Sequence, residues 1–183
     1  MNQEHLKSFA KIGIEAALAA GKKIKDMRES GTLTVQDKAD KSLVTSADLA
    51  AQEIIVSKIA AAFPDHTIVS EELPTSTLSQ QLSADQAWVI DPIDGTTNYA
   101  YGLHDCAVSI GFAEKGIGKF GVIYNPFTEE LFTAQRGSGA FCNERRIFAR
   151  KHSNLRESII ATGFPPYMKR DDLEVELVSK VLR

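Results

Sequence analysis

Turn signals recur after Cys106 at a spacing that only a hairpin-connected sheet satisfies. The segments AVSIGFA, GKFGVIYN, EELFTAQ and GAFCN are separated by EKGIG, NPFTE and QRGSG. Runs this short, broken by Gly, Pro and Asn, leave no length for helices and predict an antiparallel meander. The glycines of EKGIGKFG belong to a hairpin, since no phosphate-loop or dinucleotide pattern surrounds them.

Upstream the period changes. From Gln3 to Arg28, the residues Leu6, Phe9, Ala10, Gly13, Ala17, Gly21 and Ile24 recur at three- and four-residue steps. That is one face of a long amphipathic helix. ESGTLTVQDKADKS is polar and reads as a loop with room for a short strand. TSADLAAQEIIVSKIAAAFP predicts a second helix, capped by Ser46 or Asp48, turned inward on Leu49, Val56, Ile59 and Phe63, and ended by Pro64. HTIVSEE is a short strand running into acids, TSTLSQQLSADQ a polar excursion, and AWVI a strand too apolar to have a face in water. SIIATGF predicts one more strand. DDLEVELVSKVLR predicts a helix with an acidic first turn and with Leu173, Leu177 and Val181 on one face. The expected fold is α+β: two long helices packed on a twisted, mainly antiparallel sheet in a single domain, residues 1–183, whose last helix stops in mid-pattern.

Bulk properties narrow the functional classes. A net charge of −3 argues against a dedicated nucleic-acid binder. The basic stretch NERRIFARKH, with Arg145, Arg146, Arg150, Lys151 and His152, reads as a solvated face without interleaved aromatic residues for base stacking. No run approaches the ~18 apolar residues of a membrane span. MNQEHLKSFAKIG lacks the basic start and apolar core of a signal peptide. Cys106 and Cys142 make no disulfide framework and read as reduced thiols, so a cytoplasmic location is expected. His5, His66, His104 and His152 show no metal-ligand spacing.

The chemistry is concentrated in WVIDPIDGTTNYAYG. WVI delivers Asp91 to the edge of the sheet, Pro92 fixes the chain direction, and Gly95 permits a tight or left-handed backbone. Thr96, Thr97 and Asn98 suit a helix start, whose unpaired N–H groups attract phosphate. Two like charges about 4 Å apart repel by roughly 4 kcal/mol at an effective dielectric near 20. A phosphate dianion worsens that repulsion, and a bridging divalent cation reverses it. Hard oxygen donors favour magnesium, calcium or manganese over zinc. Glu71 and Glu72 close the preceding strand, and their acids converge with Asp91 and Asp94 if the two strands lie side by side. Asp48 is either a plain helix cap or an acceptor for the Thr96 hydroxyl.

LVTSAD, SEE, WVIDPIDGTTNY and GVIYNP…ELFTAQRGSGAFCN, in this order, resemble the inositol monophosphatases of the magnesium-dependent, lithium-sensitive sugar-phosphatase superfamily over roughly residues 5 to 165. The resemblance implies the N-terminal part of a layered αβαβα fold and two or three Mg2+ ions. Glu71, Asp91 and the main-chain carbonyl of Ile93 would hold a first ion, and Asp91 with Asp94 would contribute to a second. Gly95 and Thr96, with Asp94, would cradle the substrate, Asp48 and Thr96 would orient the attacking water, and Glu72 would support the ligands from behind. The implied reaction is direct hydrolysis of a small phosphorylated polyol, most simply inositol 1-phosphate, with no phosphoenzyme, in a homodimeric enzyme.

DGTTNY resembles the inositol branch, in contrast to the DGTKEF of the 3′-phosphoadenosine phosphatases; histidinol-phosphate and fructose-bisphosphate phosphatases stay open. The haloacid-dehalogenase phosphatases place their aspartates two apart, whereas Asp91 and Asp94 are three apart with Pro92 between them. Family members continue through a smaller α/β portion whose Trp-Asp motif completes the second metal site. Here Trp88 is followed by Val89. The chain is therefore expected to be truncated; the alternative is a natural short form that binds metal or a partner without turnover.

Overall fold

The computed structural model describes residues 3–37, 43–72 and 84–150, together with residues 154, 158, 159, 161 and 180. The strand expected over SIIATGF and the helix expected over DDLEVELVSKVLR lie almost wholly outside the described residues. Helix α1 (Gln3–Glu29) is followed by a small antiparallel pair, β1 (Val35–Asp37) and β2 (Leu43–Thr45), and by α2 (Ser46–Ala62). Strands β3 (Thr67–Ser70) and β4 (Gln86–Asp94) then lead into α3 (Thr96–Ala100). Strands β5 (Ala107–Glu114), β6 (Ile117–Asn125), β7 (Glu130–Gln135), β8 (Gly139–Cys142) and β9 (Arg145–Ile147) complete the meander.

One seven-stranded sheet runs in the order β3-β4-β5-β6-β7-β8-β9, parallel only between β3 and β4. The α+β expectation holds. Strand β9 is not anticipated by the pattern: the segment that reads as a basic surface pairs with β8 through a turn at Asn143 and Glu144, both with positive φ. Two successive left-handed residues match the twist of a tight hairpin.

α1 crosses β5 and β6, and α2 lies against α1 and β4. The core forms where Phe9, Ala17 and Ile24 of α1 and Ala51, Ile55 and Ile59 of α2 meet Trp88, Ile90, Ile110, Phe112 and Val122 of the sheet. Gly21 shows how close the approach is: a Cβ there would stand 2.5 Å from the Tyr124 ring.

The inward face of α2 differs from expectation in phase. Ile59 is buried and Val56 and Phe63 pack against the core, but Leu49 is 53% exposed. The cap sets this phase. Thr45, not Ser46 or Asp48, is the N-cap, and it forms a reciprocal capping box with Asp48 at the third helical position. Burying Asp48 puts residues 48, 51, 55 and 59 on the inner stripe and turns Leu49 outward.

Candidate active site

β4 leaves the core at its acidic end, and its geometry there explains the spacing of the two aspartates. On a regular strand, residues three apart point to opposite faces. Asp91 is paired with Ser109 and Asp94 with Ala107, so three steps along β4 match two along β5. The extra residue is a β-bulge. It returns Asp94 to the face that Asp91 occupies. Burial follows the same switch: Trp88, Ile90 and then Ile93 enter the core, while Val89 and Asp94 are exposed and Asp91 is half-buried. Pro92 has no N–H to lose from the ladder, and the Asp91 carboxyl takes the backbone N–H of Ile93. Sequence reasoning misses the bulge, although a proline between two acids at odd spacing in a strand is its signal.

The parallel register of β3 and β4 sets Thr67 to Ser70 beside Ala87 to Ile90, and the Glu71 N–H donates to the Ile90 carbonyl at 3.3 Å. Glu71 therefore comes level with Asp91. Both line a cleft of about 410 Å³ with Ser70, Val89 and Ser109. Asp94 and Gly95 line a second cleft of about 330 Å³ with Asn98, Asp105, Asn125 and Glu130. Glu72, the next residue in the turn, is half-buried and lines neither cleft.

Gly95 is the N-cap of α3, with φ at +87°, and a Cβ there would stand 2.8 Å from the Asp105 carbonyl oxygen. Both facts require glycine. The turn delivers Thr96 to Asp48. The Thr96 hydroxyl lies 3.0 Å from Asp48 Oδ1 and 2.9 Å from the Ile93 carbonyl oxygen, and its single proton serves one acceptor at a time. Asp48 is 1% exposed. Its Oδ2 accepts from the Thr45 backbone N–H at 2.8 Å and from the Thr45 hydroxyl, so the buried carboxylate is fully partnered and Oδ1 is reserved for Thr96. Asp48 is thus the acceptor for the Thr96 hydroxyl and, in place of the cap itself, the capping-box partner of Thr45.

The electrostatics are strongly acidic. Burial first, and then the negative charges of Glu71 and Asp94, push the Asp91 carboxyl up to about 7; the Ile93 N–H opposes them, and Asp48 adds a weaker push. Among the described residues, no three His, Cys, Asp or Glu side chains meet closely enough to form a complete metal cage. The donors form an open edge instead, with Asp91 and Asp94 on one face and Glu71 across the first cleft. A carboxylate held this high by burial and by its acidic neighbours, in an all-oxygen set, fits a hard divalent cation.

The basic cluster stays apart. Arg145, Arg146 and Arg150 are exposed at the β9 edge, where Arg146 stacks on Phe141 and Phe148. Lys151 and His152 lie outside the described residues. Cys106 and Cys142 are unbridged, and burial raises the Cys106 thiol to about 11, far from nucleophilic use. No helix among the described residues is long and apolar enough to cross a membrane.

Known proteins resemble this chain in sequence and fold. The family model described as the inositol monophosphatase family matches residues 5–183. A protein of Pasteurella multocida (strain Pm70) named Nus factor SuhB is 41% identical over 155 residues, 84% of this chain and 57% of the relative. Inositol monophosphatase 2 of Rattus norvegicus is 36% identical over 168 residues, 91% of this chain and 57% of the relative. The solved structure of inositol monophosphatase from Anabaena (Nostoc) sp. PCC 7120 superposes with a TM-score of 0.66 at 34% identity, covering 83% of this chain and 52% of that one. The chain spans little more than half the length of these relatives. By the family model over residues 5–183 and by its identity to these relatives, the chain belongs to the inositol monophosphatase family.

Proposed function

We propose that this chain is the metal- and phosphate-binding portion of a magnesium-dependent phosphate monoesterase whose substrate is inositol 1-phosphate, and that further chain completes the enzyme. The observation that carries the reading is the hydrogen bond from the Thr96 hydroxyl to buried Asp48, set directly behind the bulged acidic edge. Glu71, Asp91, Asp94 and the Ile93 carbonyl oxygen would hold Mg2+, with Glu72 supporting them. Bound Mg2+ supplies charge neutralisation and activation of water.

The chain's own groups perform the rest. Gly95, having no side chain, lets the phosphate approach the backbone, and Asp94 borders the same cleft. Thr96 Oγ1, donating its proton to Asp48 Oδ1, presents a lone pair to a water. As that water attacks phosphorus in line, Oγ1 accepts its proton and passes its own proton to Asp48 Oδ1. The P–O bond to the alcohol breaks, and the alkoxide leaves with a proton from solvent.

The test is phosphate release by the full-length protein from inositol 1-phosphate, with and without Mg2+, beside histidinol phosphate and fructose 1,6-bisphosphate. Turnover of the inositol ester only with Mg2+ is expected. Thr96→Val should lower kcat by about 10²- to 10⁴-fold, the range typical of a lost proton acceptor, and Thr96→Ser should retain most activity. Metal-independent turnover, or an active Thr96→Val protein, would overturn the reading.

The relative named Nus factor SuhB supports a second reading, interaction without turnover. The exposed Arg145, Arg146 and Arg150 edge favours it, and an RNA affinity falling steeply with salt, in a full-length protein that releases no phosphate, would establish it.

A further inference from the structure

The last turn of α1 reaches the short helix that carries Thr96, and the contact is made twice. Ile24 and Arg28, four residues apart, lie on one face of α1. The buried Tyr99 hydroxyl donates to the Ile24 carbonyl at 2.8 Å. In return the Arg28 guanidinium donates to the Tyr99 carbonyl. That guanidinium also sits 5.3 Å from the centres of the Tyr99 and Phe127 rings, which lie 6.4 Å from each other. Its charge is felt in the surroundings. It opposes the burial that raises the Tyr99 hydroxyl to about 12, and it opposes the same effect at Cys106.

This clasp has a consequence for Thr96. Helix α3 has only five residues, and the backbone bonds at its ends run from the Tyr99 N–H to the Gly95 carbonyl, from the Tyr101 N–H to the Thr97 carbonyl, from the Gly102 N–H to the Tyr99 carbonyl and from the Leu103 N–H to the Asn98 carbonyl. So short a helix cannot hold its own orientation. One end of it is bonded to α2 through Thr96 and Asp48, and the other to α1 through Tyr99, Ile24 and Arg28. A guanidinium on a C-terminal carbonyl is also favoured by the direction of the peptide dipoles.

We propose that Arg28 is a positioning residue, which fixes the Gly95–Ala100 turn through the Tyr99 carbonyl so that the Thr96 hydroxyl keeps its register on Asp48. Arg28 touches no reacting group, and its kinetic consequence rests on the phosphatase reading. A lysine could reach the carbonyl, but it lacks the planar fork that lies against both rings while donating.

The test compares full-length wild type with Arg28→Met and Arg28→Lys in two ways. The first is amide hydrogen exchange across Thr96–Leu103. Exchange there should be about tenfold faster in Arg28→Met, as expected for losing one charged hydrogen bond, with β4 and β5 unchanged. The second is Mg2+-dependent phosphate release. A misplaced acceptor should lower kcat by about 10- to 100-fold and leave KM within about threefold, with Arg28→Lys in between. Unchanged exchange in both variants overturns the proposal, whatever the activity. So does unchanged kcat in an Arg28→Met protein whose wild type is active. A wild type without turnover rejects the phosphatase reading, and exchange then decides the role of Arg28. If Arg28→Met loses the β4–β5 protection as well, Arg28→Lys decides: faster exchange confined to residues 96–103 supports the proposal, and its absence rejects it.

Discussion

Asp91 is the residue at which the demands of folding and of the proposed chemistry part. Its carboxyl, pushed up to about 7, titrates near the ordinary carboxylate value in the unfolded chain. The folded form therefore binds more protons than the unfolded form between those two values, and stability falls as pH rises through that window. At pH 8 the whole cost is present. Asp91→Asn keeps an acceptor for the Ile93 N–H and removes the charge, so without Mg2+ the variant should melt higher. With the partial exposure of Asp91 discounted, the rise should be about 2 °C. The same change should abolish Mg2+-dependent phosphate release. A lower melting temperature for Asp91→Asn would show that the charge is compensated within the chain and that the acidic edge is structural. Stability gained at the expense of activity marks a site kept for function.

The elements are legible where periodicity speaks and illegible where a single residue resets it. α1 follows from its three- and four-residue steps, the meander from its turns, and the neighbouring β3 and β4 from two acidic strand ends. The bulge at Pro92 inverts the face of everything after it, and the capping box at Thr45 rotates α2, exposing Leu49; neither shows in hydrophobic pattern alone. His66 belongs to this class. Without ligand spacing it is featureless in the sequence, yet it stacks among Phe63, Trp88 and Phe112, and its Nδ1 accepts the Trp88 indole N–H at 3.0 Å. Burial lowers its pKa from 6.5, against the pull of Asp65 and Gln86. The unfolded chain thus binds the proton more readily. The contribution of His66 is complete above pH 6.5 and is lost as pH falls through the lowered folded value. In an Asp91→Asn background, which removes the opposing trend of Asp91, the urea midpoint should drop between pH 7 and pH 5, with a change in emission from Trp88, the one tryptophan in the sequence. His66→Gln, which offers an acceptor that does not titrate, should show a smaller drop. Parallel curves for the two proteins would remove His66 as the cause.

At the scale of the whole molecule, the two faces of the sheet are unlike. One is covered by α1 and α2 over β4, β5 and β6. The other presents Gly111, Gly121, Ile123, Phe132, Ala134 and Ala140 around an open cleft of about 240 Å³, with Ile123 48% exposed and Val89 39% exposed. Small residues in a row admit close approach by another element, and contiguous exposed apolar surface marks a contact in most soluble proteins. The acidic edge opens on this same face, since Val89 and Asp91 alternate with the buried Trp88 and Ile90. The proposal that further chain completes the enzyme therefore predicts that it covers this face and closes the clefts beside Asp91 and Asp94. Residues 1–183 alone should release little or no phosphate. Ile123→Lys distinguishes the alternatives. In residues 1–183 alone the change falls on a half-exposed side chain and should shift stability by no more than about 0.5 kcal/mol. In the longer protein the same lysine would be buried without a partner, and the cost should reach about 1–3 kcal/mol, with phosphate release lost as the clefts reopen. Equal, small effects in the two proteins would mean that nothing covers the face. Vigorous turnover by residues 1–183 would show that these residues suffice for catalysis, and the completion proposal would fall while the assignment of Asp48 and Thr96 stood.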